Sequence, residues 1–129
     1  MLFRSGIAKL DDSGKLTIYM MGSPAGVSRV FGRGGGNVAG FYIANEANVF
    51  AVVPRSSSRD DFADIVLFHE YAHHLMLQYF PVAYPAWYVE GFAEYLSTTT
   101  FEGDFAKVGL PALHRAYDLM ATEIGRAHV

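Results

Sequence analysis

The sequence predicts an α+β fold, a small antiparallel or mixed sheet followed by two helices, and three observations predict it. Short β-branched and aromatic runs fill the first half of the chain, at residues 16–20, 38–43 and 48–53. A long segment with helical apolar spacing follows, with Phe62, Ile65, Val66, His69, His73 and Met76 on recurring positions. A second helical segment then starts at Pro85 or Ala86, behind the turn bracketed by Pro81 and Pro85. At 129 residues, 51% hydrophobic and 15% aromatic, the chain suits one domain with a real core.

Residues 6–16 are polar, with Asp11-Asp12-Ser13-Gly14 as a turn signal. Leu16 to Met20 reads as the first strand. Gly22 to Asn37 reads as a loop, and its glycine run lacks the Lys-Ser/Thr of a phosphate-binding loop. Val38–Ile43 and Asn48–Val53 read as a hairpin turning at Asn45-Glu46-Ala47, and Pro54 ends the second strand. Ser58 with Asp61 resembles a capping box, and Asp60, Asp61 and Asp64 suit the positive end of a helix. The first long helix also carries Leu67, Phe68, Leu75 and Leu77 on other faces, so it reads as largely buried. The second fades at Ser97-Thr98-Thr99-Thr100. Gly103 and Gly109 punctuate a loop, and Pro111 opens a further helix with Leu113, Tyr117 and Met120 as its stripe.

Charge and composition exclude several roles. The formal charge is −3 with no basic stripe, which argues against nucleic acid as a partner. No cysteine is present, so disulfides and thiolate metal sites are absent. No apolar run approaches the ~18 residues of a membrane-spanning helix. Of five histidines, three lie together at His69, His73 and His74.

His69-Glu70-Tyr71-Ala72-His73 is an H-E-x-x-H run. Helical residues four apart share a face, so both imidazoles can reach one ion. Zinc suits such donors, and a catalytic zinc takes a third protein ligand and keeps one position open. A buried helix carries His and Glu at a cost unless they are paired or metal-bound. Glu70 is placed to act as general base on a metal-activated water. Glu90 lies far enough downstream to return on the second helix as the third ligand. Glu94, four residues on, is placed to hydrogen-bond a histidine ring, and the two glutamates exchange roles if that helix is rotated. Gly91 suits a close approach of the two helices. His74 sits off the ligand face as a packing or outer residue. Trp87 and Tyr95 read as core anchors.

With Trp87-Tyr88-Val89-Glu90-Gly91-Phe92-Ala93-Glu94-Tyr95 downstream, the pattern resembles the gluzincins, above all peptidase-MA-like bacterial domains with H-E-Y-A-H-H and E-G-F-A-E-Y. The resemblance is sharp over residues 65–96. It implies a zincin-like fold and a zinc metallopeptidase acting on a peptide or protein substrate. His69, His73 and Glu90 would hold one Zn2+, Glu70 would be the base, and Glu94 would support a ligand from outside. It also implies an edge strand that binds extended peptide above the metal helix; the Val49–Val53 run could fill that role or be an ordinary paired core strand, and the sequence does not separate the two. An oxyanion donor is expected too, and His114 and Tyr117 are candidates by chemistry. Two rivals stand beside this reading: a non-catalytic peptide-binding domain, and a structural zinc site with His74 or Glu94 as fourth ligand. Hydrolysis of another amide or an ester would use the same motif.

Residues 1–5 and 123–129 look like translated sequencing adapter, so residues 6–122 are expected to be a partial zincin-like metallopeptidase domain.

Overall fold

A computed structural model describes residues 2–3, 15–34, 36, 38–55 and 61–113 of the chain. The elements in order are β1 (Leu2–Phe3), β2 (Thr17–Met21), α1 (Pro24–Phe31), β3 (Phe41–Ala44), β4 (Val49–Pro54), α2 (Asp61–Tyr79), α3 (Ala86–Ser97), β5 (Thr100–Glu102) and β6 (Phe105–Lys107). The fold is mixed α and β, as the hydrophobic patterning predicts.

The main sheet has the order β2-β4-β3, with β2 parallel and β3 antiparallel to β4. Ala51, Val52 and Val53 of β4 are at most 2% exposed, because helices cover both faces of this strand. Strand alternation separates the two faces. Phe41 meets Phe31 at the end of α1 and Phe50 of β4, with ring centroids at 5.2 and 6.4 Å. The next residue, Tyr42, points the other way and reaches His74 of α2. The sheet therefore lies between α1 and α2.

The 45–48 turn behaves as the sequence suggests. Asn45 Oδ1 accepts from the backbone N–H groups of Ala47 and Asn48, at 3.0 and 2.8 Å. The stretch 22–37, expected to be a loop, instead contains α1. Its signals are local: Ser23 caps the helix by accepting from Gly26 N–H at 3.2 Å, Pro24 fits the first turn, and Gly32 closes it at φ +93°. Eight residues with an internal glycine give too little periodicity to stand out.

For β4 the structure decides between the edge strand and the paired core strand in favour of the latter. This is the central strand, paired on both sides, so its backbone has no free edge to offer a peptide. Its continuous apolar run is the mark of a strand buried on both faces. Among the described residues the free edges of this sheet are β2 and β3.

Residues 100–107, expected to be loop, form the β5–β6 hairpin, with Gly103 at φ +58° and Lys107 Nζ 2.6 Å from Glu102 Oε1. The two-residue Gly103-Asp104 connection favours this turn chemistry. The second sheet, β1-β6-β5, is antiparallel throughout. The Ser58 cap lies outside the described residues, as does the helix expected after Pro111, apart from its first residues.

The segment before β3 passes very close to α2. A Cβ on Gly40 would collide with Val66 Cγ1 and stand 3.3 Å from both Cγ and Oε1 of Glu70. Val66 is buried and branched at Cβ, so it has little freedom to yield. Gly40→Ala is expected to destabilise the protein by about 1–3 kcal/mol, read from the urea midpoint. An unchanged midpoint would show that the approach is loose.

Candidate metal centre

The centre is built on α2 and α3, which pack along one another. His69 and His73 are one turn apart on α2 and bring their Nε2 atoms to 3.2 Å. Glu90, in the first half of α3, spans the pair: Oε2 lies 3.4 Å from His69 Nε2 and Oε1 lies 3.6 Å from His73 Nε2. Two ligands at about 2.0–2.1 Å from a tetrahedral zinc sit roughly 3.3 Å apart. The two imidazole nitrogens stand near that tetrahedral edge, each faces one of the Glu90 oxygens, and one donor atom from each residue lies within 4.8 Å of the others, so the three residues could hold one zinc ion. Among the described residues, His69, His73 and Glu90 form the group able to hold a metal.

The supporting contacts are equally specific. Glu94 Oε1 lies 3.3 Å from His69 Nδ1, on the ring edge away from Glu90. A carboxylate there holds the proton on Nδ1 and frees Nε2 to donate its lone pair. Ser97 Oγ, fully buried, donates to the carbonyl of Glu94 at 2.8 Å and steadies that turn of α3. Burial lowers the pKa of His73, with Glu90 opposing and His69 adding to the effect. A neutral imidazole is the form that binds metal. Glu94→Gln is expected to weaken zinc binding by roughly 10–100-fold, measured by competition with a chromophoric chelator. An affinity within twofold of wild type would remove Glu94 from this role.

Glu70 follows His69 on α2 but turns toward the β3 side, where Gly40 leaves room for its carboxylate. It is 7% exposed. Burial, with a smaller push from the Glu90 charge, raises its pKa to about 7. That value suits a group that takes up and returns a proton near neutrality.

Two expectations about α3 are corrected. Gly91 is exposed, and a Cβ there would meet nothing within 4 Å. The buried side of the helix carries Ala93 and Ser97 instead. Trp87 and Tyr95 are not core anchors: they are 74% and 43% exposed. Residues 90, 93, 94 and 97 take the side facing α2, which turns 87, 91 and 95 outward by helical geometry. Trp87 meets Tyr88 edge-on at 5.8 Å, and Tyr88 stacks on Tyr84 at 5.0 Å.

His74 is only 2% exposed, and its Nδ1 lies 3.1 Å from the Tyr42 hydroxyl. It packs beneath the sheet and takes no place among the metal donors. Burial raises the pKa of Tyr42, which keeps its hydroxyl protonated. Gly40 and Tyr42 are the residues that sequence reasoning passed over. Neither belongs to a motif, and their importance comes from which strand lies against α2. His114 and Tyr117 lie outside the described residues. No family model, no curated protein and no solved structure matches this chain.

Proposed function

We propose that this is a zincin-like, zinc-dependent peptidase of gluzincin type, hydrolysing peptide bonds by attack of water with Glu70 as general base. The supporting observation is the convergence of His69, His73 and Glu90, with one donor atom from each within 4.8 Å of the others, beside a buried glutamate that is not one of the three donors. A zinc ion held there supplies Lewis acidity to a carbonyl and to water. Glu70 then takes the proton of the attacking water and passes it to the leaving amine. Its raised pKa fits both halves of that exchange. Glu94 keeps the His69 ring oriented throughout. Gly40, just before β3, lies against Glu70, and β3 has an unpaired edge among the described residues whose backbone groups suit pairing with an extended peptide.

The same contacts weigh against a structural zinc. Such a site takes four protein ligands. Here His74 is engaged with Tyr42, and the near oxygen of Glu94 lies on the far ring nitrogen of His69. The three remaining donors leave a coordination position for water. The test is cleavage of casein and of mixed internally quenched peptides by the zinc-loaded full chain, stopped by a chelator and restored by zinc. A chain that binds zinc and peptide yet cleaves neither substrate would be a binding domain.

A further inference from the structure

Building on the peptidase reading, we propose that Tyr42 and His74 are a positioning pair that fixes the open edge of β3 against the helix carrying the metal ligands. His74 follows the ligand His73 and points about 100° around the helix from it, under the sheet. A polar ring buried to 2% exposure requires a hydrogen-bond partner, and the Tyr42 hydroxyl supplies one to Nδ1 at 3.1 Å. The two rings meet edge to face, 5.7 Å apart at 65°.

This contact works together with Gly40. Gly40 meets α2 at Val66 and Glu70, whereas Tyr42 meets it one turn later at His74. The first contact is steric and limits how near the strand can come. The second is a hydrogen bond and resists its drifting away. Between them the strand is held at one height beside Glu70. On its other side β3 pairs only with β4 among the described residues, so nothing else there sets the position of its outer backbone groups. The polar contacts of His69, His73 and Glu90 run among themselves and to Glu94, whereas Tyr42 meets His74. Loosening the pair should therefore disturb peptide pairing more than the chemical step.

The variants are Tyr42→Phe, His74→Asn and His74→Leu in the full chain. Asparagine places an amide oxygen where Nδ1 stood and can keep the bond, whereas leucine cannot. Tyr42→Phe is expected to raise KM for an internally quenched peptide about fivefold, the effect of one hydrogen bond, with kcat and zinc affinity within twofold. Amide hydrogen exchange over Phe41–Ala44 should quicken by a similar factor. His74→Asn should stay near wild type in both readouts, and His74→Leu should follow Tyr42→Phe. Unchanged KM and exchange in Tyr42→Phe would overturn the proposal, as would His74→Asn behaving like His74→Leu. A wild-type chain without turnover would end the peptidase reading, and exchange at β3 would still decide whether the pair holds the strand.

Discussion

Glu70→Gln is expected to lower kcat for peptide cleavage by about 10²–10⁴-fold while zinc affinity stays within a few-fold of wild type. Glutamine keeps the shape of the side chain but cannot accept a proton from water. In the proposed site zinc would be held by His69, His73 and Glu90, so the substitution leaves that donor set intact. A variant that retained turnover would transfer the base to another group. One that lost zinc would place Glu70 among the donors.

The same substitution carries a stability signature in the metal-free chain. The folded pKa of Glu70 is raised from 4.5 to about 7. The protonated carboxyl is thus favoured on folding, and its contribution is fully present below about pH 4.5 and lost as pH rises through about 7. A shift of that size corresponds to up to about 3 kcal/mol, part of it from Glu90, whose exposed charge is screened by solvent. His73 acts in the opposite sense: its lowered pKa makes the folded form favourable above about 6.5 and costly as pH falls. The difference between wild type and Glu70→Gln isolates the glutamate. With chelator present, the variant is expected to be the more stable protein at pH 8, and the advantage should vanish at pH 4, as read from urea melts. Equal midpoints at pH 8 would mean that Glu70 is solvated in the free protein.

His73→Ala or Glu90→Ala is expected to weaken zinc binding by roughly a hundred- to a thousandfold. That is the share of one ligand in the ~10–16 kcal/mol of a four-ligand protein zinc site. Each loss should abolish zinc-dependent turnover at substoichiometric zinc. Glu90→Ala is the more informative of the two. Its side chain is 62% exposed, so removal costs little packing, and a change in zinc affinity reports coordination directly. If Glu90→Ala bound zinc as well as wild type while Glu94→Ala did not, the two glutamates would have exchanged roles through a rotation of α3.

Much of this centre could be read before any fold was known, because its first part is local. Histidines four apart on a helix share a face whatever surrounds them, and Glu70 goes where the helix takes it. The punctuation by Pro81 and Pro85 placed the second helix almost to the residue. The missed helix α1 and the β5–β6 hairpin also had local signals, in Ser23-Pro24 and Gly103-Asp104. Both were too short for apolar periodicity to reveal them.

The misjudged residues share a different cause. Trp87 and Tyr95 are large and apolar, and size alone suggests burial. Their exposure follows from which side of α3 meets α2, and Glu90, Ala93, Glu94 and Ser97 occupy that side. The central place of β4 depends on β2, a strand from far earlier in the chain, pairing along it in parallel.

From residue order alone came the α+β character, the two long helices, the H-E-x-x-H face and the pair of glutamates four apart. Tertiary structure alone decided that Glu90 spans both imidazoles, that Glu94 meets the far nitrogen of His69, and that Gly40, leading into β3, lies against Glu70. The division has a physical basis. Which residues share a helix face is set by backbone geometry over one or two turns, whereas the gap between two elements is set by the packing of side chains distant in sequence.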